Sequence, residues 1–177
     1  MPGSRRRLGR LRASALAAVV TVCGCGAAGA SGPVPAGAAP SPAARMVCSP
    51  EAAKELADAL GMRAAPSTPT WVDHRYSCTY AYPDGRIGLS VKELADAAAT
   101  TADFAAEQAG LGTGGAVAGI GQGAYQGGGG SIIVRKDFKV LAVDVSDVPA
   151  RFGVPPIDRS EVAVRVAIVV MGCWTDR

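Results

Sequence analysis

The sequence is poor in aromatic and histidine side chains, and this shortage limits the chemistry it can support. Only 5% of the 177 residues are aromatic, and His74 is the single histidine. A zinc or copper site normally takes several histidine, cysteine or carboxylate ligands, so one histidine argues against a metal centre. No G-x-S-x-G motif occurs, and a Ser-His-Asp arrangement could be built only on His74. We therefore expect no catalytic residues, no metal and no cofactor.

Long apolar runs are also missing, although the chain opens like an export signal. Five arginines and no acid lie in the first twelve residues, and the apolar segment 13–22 follows. A helix needs about 20 apolar residues to cross a bilayer, so this segment is too short to be a membrane span. A basic start, a short apolar run and then small residues are typical of a signal peptide.

The residues at the end of the signal peptide indicate whether the mature protein is anchored to the membrane. Val22-Cys23-Gly24-Cys25 resembles the bacterial lipobox, in which the last cysteine receives a diacylglyceryl group and becomes the new N-terminus. The resemblance predicts a signal peptide over residues 1–24 and a lipid on Cys25, which would anchor the protein at the extracytoplasmic face of the cell membrane. The alternative is cleavage after Ala30, which would give a free secreted protein.

The mature chain lacks an excess of positive charge. Removing the five signal arginines leaves 18 − 5 = 13 bases against 15 acids, a net charge of −2. Without a basic patch, nucleic-acid binding loses its main support. The expected partners are the membrane, through the lipid, and an unidentified envelope protein or ligand.

The remaining chain divides into a tether and one domain. Residues 26–44 contain no charge and no aromatic side chain, and their apolar content is too small to offset the entropy of ordering them. We therefore predict a flexible Gly/Ala/Pro tether over residues 25–44. Residues 45–177 have a normal length for a single domain with one core.

Local patterns predict that this domain is α+β. Ser49 and Gly61 fit as the N-cap and stop of a helix over residues 51–60. Asp158 and Glu161 fit a capping box at the start of a last helix, although its β-branched residues also suit a strand. The other predicted elements are a helix over 101–109 and strands over 72–82, 87–91, 132–135 and 138–145. Together they predict an antiparallel sheet of about four or more strands with helices packed on one face.

Three side chains near the strand predicted over 72–82 are candidate ligand contacts. Alternation places His74 and Tyr76 on the same face as the later tyrosines, and Trp71 on the opposite, polar face. The tyrosine stripe could line a pocket, but core packing explains it equally well and is favoured. An enzyme site built from Asp73, His74 and the glycine loop 127–130 is the least favoured alternative.

Three cysteines remain in the domain, and cysteines outside the membrane tend to pair. A Cys48–Cys78 bridge would link the first helix to the sheet. Cys78–Cys173 is the rival pairing, and the sequence leaves both open.

Several local motifs together resemble a family. These are the lipobox, the tether, Cys48-Ser49-Pro50 before a helix, Cys78-Thr79-Tyr80 on a strand, and the segment 117–125 ahead of a hairpin. The pattern is similar to small, largely uncharacterised secreted lipoproteins of actinobacteria. This resemblance implies a Cys48–Cys78 disulfide, an antiparallel sheet backed by helices and a cell-surface location, and it brings no catalytic residues.

The expected function is a lipid-anchored, non-enzymatic binding or sensing module of the envelope. The alternative is a carrier of a small apolar ligand held between the helices and the sheet. A preformed cavity at that position would mark a carrier.

Overall fold

The computed structural model describes residues 39–65 and 67–174. The predicted signal peptide, Cys25 and residues 25–38 of the predicted tether lie outside the described residues.

The folded domain begins before Arg45, where the sequence placed its boundary. Helix α1 spans Pro42–Arg45, and the Ser41 hydroxyl caps it by accepting a hydrogen bond from the Ala44 N–H at 3.2 Å. The Ala44 side chain is completely buried. The tether was predicted to end at residue 44, which is too far toward the C-terminus. Composition alone does not show that the small side chain of Ala44 packs in the core.

A seven-stranded antiparallel sheet forms the centre of the domain. Its strand order is β1-β2-β3-β7-β6-β5-β4, and a separate two-stranded ribbon pairs β8 with β9. The strands are β1 Thr70–Val72, β2 Arg75–Tyr82, β3 Gly85–Glu93, β4 Gly114–Val117, β5 Gly123–Gly127, β6 Ile132–Lys136, β7 Lys139–Asp147, β8 Arg151–Phe152 and β9 Ile157–Asp158. The other helices are α2 Pro50–Leu60, α3 Ala97–Leu111 and α4 Arg159–Cys173, and a 3₁₀ turn covers Met46–Cys48. The α+β class is confirmed.

Helices α2 and α4 pack on one face of the sheet, which we call the inner face. Alternate residues of the central strands point to it and are buried: Cys78, Tyr80, Ile87, Leu89, Val91, Ile132, Val134, Leu141, Val143 and Val145. The predicted caps of α2 are present, since Ser49 accepts from the Ala52 N–H at 3.1 Å and Gly61 has a left-handed backbone. The last segment is helical, as favoured, and Glu161 pairs with Arg165.

Helix α3 lies against the other face, which we call the outer face. Its Asp103 pairs with Lys92, and its Glu107 pairs with Arg75, both on outer-face strand positions. The Arg135 guanidinium lies 5.7 Å from the centre of the Phe104 ring. The helices therefore occupy both faces of the sheet, whereas the sequence placed them on one, because charged strand residues gave no sign that a helix would cover them.

Other elements differ from the sequence in detail. Helix α3 spans Ala97–Leu111 after the N-cap Asp96, so it is longer at both ends than the helix predicted over 101–109. Asp158 makes no side-chain cap to α4; it accepts from Arg151 of the ribbon instead, at 3.1 Å. Trp174, which follows α4, is 2% exposed and belongs to the core.

Candidate functional site

A disulfide joins the start of α2 to the sheet. Cys48 and Cys78 are bonded, with their Cα atoms 5.8 Å apart, and Cys173 is free. This confirms the pairing implied by the family resemblance and excludes the rival pairing to Cys173. In the chain-entropy account, closing a loop with a separation of 30 residues stabilises the fold by roughly 3–4 kcal/mol.

A groove runs beside this disulfide, between α2 and the edge of β2 on the side of β1. We call it the α2–β2 groove, and its volume is about 520 Å³. This lies within the range of roughly 300–1,000 Å³ found for small-molecule sites. Its lining is Cys48, Ser49, Pro50, Ala53, Lys54, Ala57, Asp58, Arg63, Ala64, Ser67, Cys78, Thr79 and Tyr80.

The groove exists because the edge of β2 is covered only in part. Strand β1 pairs with the first three residues of β2, Arg75 to Ser77. Farther along, the described residues that contact this edge are Ala65, which bridges to Ala81, and Ser67, whose hydroxyl accepts from the Thr79 N–H at 2.7 Å. The space that a longer β1 would have filled stays open against the small side chains of α2.

The lining combines an apolar base with a charged rim. The disulfide, Pro50, Ala53 and Ala57 supply apolar surface, and the small alanines leave room above the helix. Two cations and one carboxylate lie at the rim: Lys54, Arg63 and Asp58.

The rim charges differ in their partners. Lys54 and Asp58 form an exposed ion pair at 2.7 Å, and the hydrogen bond that the Lys54 ammonium donates to the Asp58 carboxylate raises the pKa of Lys54. Among the described residues, Arg63 makes no ion pair. The rim therefore carries one positive charge in excess, on a side chain free to meet an anionic group.

Tyrosines at the base of this region serve packing. The Tyr80 hydroxyl donates to the Val47 carbonyl at 2.8 Å, and the Tyr82 ring packs edge-on against Phe152 with centroids 5.2 Å apart. Burial raises the pKa of both tyrosines to about 12, so both stay protonated near neutral pH. The favoured interpretation of the tyrosine stripe as core is confirmed for these two residues, which are 5% and 8% exposed.

The predicted ligand contacts lie on a hairpin instead of a single strand. Asp73 and His74 form a two-residue turn between β1 and β2, with φ of 49° and 59°. The turn places Trp71 directly opposite Tyr76, so both side chains are on the same face and not on opposite faces as predicted. The Trp71 and His74 rings meet edge-on, 5.8 Å apart. His74 is therefore an exposed turn residue, and not a strand residue at the edge of the core.

The residues considered for an enzyme site lie far apart in the structure. Asp73 and His74 lie at the end of the sheet where β2 begins, whereas the loop 127–130 precedes β6 at the opposite end. Among the described residues, no three His, Cys, Asp or Glu side chains cluster as metal ligands do.

A second concavity of about 360 Å³ lies between the end of α3 and strands β6 and β7. It contains the carboxylates of Glu107 and Asp144. Burial alone would raise the pKa of Asp144, but hydrogen bonds from Ser146 and Ser131 hold it below its usual value. Glu107 is paired with Arg75, and Asp144 accepts hydrogen bonds from Ser131 and Ser146. Both carboxylates therefore already have structural partners.

The chain matches no protein-family model, no curated protein and no solved structure. Within the described part of the chain, no helix is both long and apolar enough to cross a membrane.

Proposed function

We propose that this protein is a non-enzymatic binding module, held on the extracytoplasmic face of the cell membrane by a lipid on Cys25, and that it binds a small ligand in the α2–β2 groove. The groove is the observation that carries the proposal. Its position between a helix and the sheet is the one at which a carrier was expected to have a cavity. The likeness to actinobacterial secreted lipoproteins is part of the same proposal and rests on the sequence motifs alone.

The lining indicates the chemistry of the ligand. Ala53, Ala57 and the disulfide offer an apolar surface for a ligand body of moderate size. The unpaired guanidinium of Arg63 suits a carboxylate or phosphate at one end, because Arg binds such groups through two parallel hydrogen bonds. We infer a small amphipathic ligand with one anionic group.

The disulfide supports a binding role by fixing the groove. It holds the start of α2 against β2, so the two walls keep their separation when the ligand leaves. A preformed site loses less conformational entropy on binding than one that must be ordered first.

Native mass spectrometry of the lipidated protein, gently extracted from its own membrane, tests the groove. The Ala57→Trp variant should lose a bound small molecule that the wild type retains, because the indole fills the space above α2. Ala102→Trp is the matched control, since Ala102 is exposed on α3 at the outer face. Retention of the molecule in the Ala57→Trp variant, or its loss in both variants, would contradict the groove as the site.

A second variant tests the anionic group. Arg63→Glu reverses the one unpaired rim charge and should weaken binding of the captured molecule by about tenfold or more, as expected for a lost charge-assisted contact. Equal affinity in Arg63→Glu and wild type would show that the ligand is not recognised through an anion.

The anchor has its own measurement. Replacing Cys25 with alanine should release folded protein into the medium, whereas the wild type should sediment with membranes. A wild-type chain that begins at Ser31 and carries no lipid would contradict the anchor and support free secretion.

A further inference from the structure

Two tight hairpin turns lie side by side at one end of the sheet. One turn is Asp73–His74, between β1 and β2, and the other is Asp137–Phe138, between β6 and β7. The end of β3 runs between them: the Glu93 N–H donates to the His74 carbonyl at 2.9 Å, and the Leu94 N–H donates to the Phe138 carbonyl at 2.8 Å. Because β2 and β7 flank β3, the residues next to these strands, His74 and Phe138, are about 10 Å apart.

In both turns a ring side chain occupies a position whose left-handed backbone favours glycine. The φ angles of all four turn residues lie between 49° and 59°. Two-residue turns with this backbone favour Asn-Gly or Asp-Gly, yet the glycine position is taken by His74 in one turn and Phe138 in the other. A bulky residue in this conformation is strained, and such strain concentrates at functional sites. The sequence thus places a ring at the tip of each turn, and Phe138 does so at a cost in backbone energy.

The tips expose apolar surface. Val72 is 62% exposed and Phe138 is 37% exposed. They are two of the four large hydrophobic side chains that are exposed in the described part of the chain. We call Val72, His74, Leu94 and Phe138 the hairpin-end surface.

The N-terminal chain enters the domain at this same end. Ser41, which precedes α1, donates its N–H to the Glu93 carboxylate at 3.2 Å. Between Cys25 and the first described residue, Ala39, lie 38 − 25 = 13 residues, which span at most about 45 Å whatever their conformation. The opposite end of the sheet is about 30 Å farther away, the length of β7.

We propose that the hairpin-end surface rests on the lipid bilayer to which Cys25 is anchored, with Phe138 and Val72 entering the headgroup region. This inference depends on the proposed lipid on Cys25. Aromatic rings, including the Trp71 ring beside His74, favour the boundary between lipid and water. The short connection keeps the surface near the bilayer, so even a weak contact is populated at a high effective concentration.

Fluorescence quenching of lipidated protein in vesicles tests this orientation. The vesicles are phosphatidylcholine with a minority of phosphatidylglycerol, and some headgroups carry a spin label that quenches tryptophan. In a Trp71→Phe background, Phe138→Trp places a reporter on the hairpin-end surface. Val154→Trp is the matched control, because Val154 is 63% exposed and follows β7 at the far end of the sheet. Buried Trp174 is common to both.

Quenching should be roughly threefold or more stronger at position 138 than at 154, because about 30 Å separates the two ends of β7. Equal quenching at both positions, or stronger quenching at 154, would overturn the proposed orientation. Wild-type protein that carries no lipid and does not float with the vesicles would instead show that the anchor fails, and the bilayer contact would fall with it.

Phe138→Gly supplies a second test that does not depend on a new tryptophan. Glycine suits the left-handed turn position, so the variant should fold at least as stably as the wild type. Quenching of the natural Trp71 by the labelled vesicles should nevertheless fall by about half or more, because the exposed ring is lost. Unchanged Trp71 quenching in this folded variant would overturn the role of Phe138.

Discussion

The two faces of the central sheet are stabilised in different ways. On the inner face, strand residues such as Leu89 and Leu141 are buried under α2 and α4, and a disulfide fixes the contact. On the outer face, Ile133 and Val140 are the fully buried apolar strand residues among those described, and α3 forms ion pairs with Lys92 and Arg75. Apolar burial and a covalent link are strong, whereas partly exposed ion pairs contribute little. We therefore expect the inner layer to determine global stability and α3 to open at lower free energy.

Loss of the disulfide should have the largest effect on this comparison. The Cys48→Ala/Cys78→Ala double variant should lower the free energy of unfolding by roughly 3–4 kcal/mol, since its unfolded chain regains the entropy of the open loop. Urea denaturation with and without a reducing agent measures the loss. Cys173→Ala is the control and should lack this effect, and a stability unchanged by opening the bridge would contradict the importance given to the inner face.

Leu89 and Ser90 are neighbours in β3 and point to opposite faces of the sheet, so replacing each in turn compares the contributions of the two faces to stability. Leu89 is 1% exposed on the inner face, so Leu89→Ala should cost about 3 kcal/mol through lost burial and a cavity. Ser90 points to the outer face and accepts from Arg75 at 3.1 Å, so Ser90→Ala should cost less than about 1 kcal/mol. Urea midpoints give both values. Equal losses would show that the two faces contribute equally.

The elements that the sequence predicted well are those set by local chemistry. Ser49, Pro50 and Gly61 specify both ends of α2 within a dozen residues, and the structure has this helix. The strand predicted over 87–91 is also present, within β3.

The elements that it missed depend on exceptions or on distant contacts. The Asp73–His74 turn contains no glycine, so the alternation of polar and apolar residues continued through it and predicted one strand. The sequence does not show that Arg75 and Lys92 contact a helix, because that depends on α3 crossing the outer face of the sheet. The α2–β2 groove depends on where residues 63–65 and 67–69 lie beside β2, and no periodic pattern in the sequence indicates their positions.

The outer-face ion pair should have an intermediate effect. Asp103 is 11% exposed in its side chain and pairs with Lys92, so Asp103→Asn removes the charge that a half-buried ammonium faces. We expect a cost of about 1 kcal/mol, reduced by solvent screening at the lysine. Hydrogen exchange should show faster opening confined to α3. Asp84→Asn, in the exposed β2–β3 turn, is the control, and slower exchange throughout α3 would contradict its weaker attachment.

At neutral pH the smallest effect is expected from Tyr82→Phe, because its buried hydroxyl has no hydrogen-bond partner among the described residues. Tyr80→Phe should cost about 1 kcal/mol, since it leaves the Val47 carbonyl without its donor.

At alkaline pH the two buried tyrosines should lower the stability of the protein. Burial raises the pKa of each tyrosine from 10 to about 12 in the folded protein, so above pH 10 the unfolded chain binds fewer protons than the folded one. The contribution of these two tyrosines to the free energy of unfolding should therefore be constant below about pH 10 and fall as the pH rises toward 12. Urea denaturation at a series of pH values measures this slope, which the Tyr80→Phe/Tyr82→Phe variant should reduce. An unchanged slope in that variant would mean that alkaline unfolding does not begin at these two tyrosines.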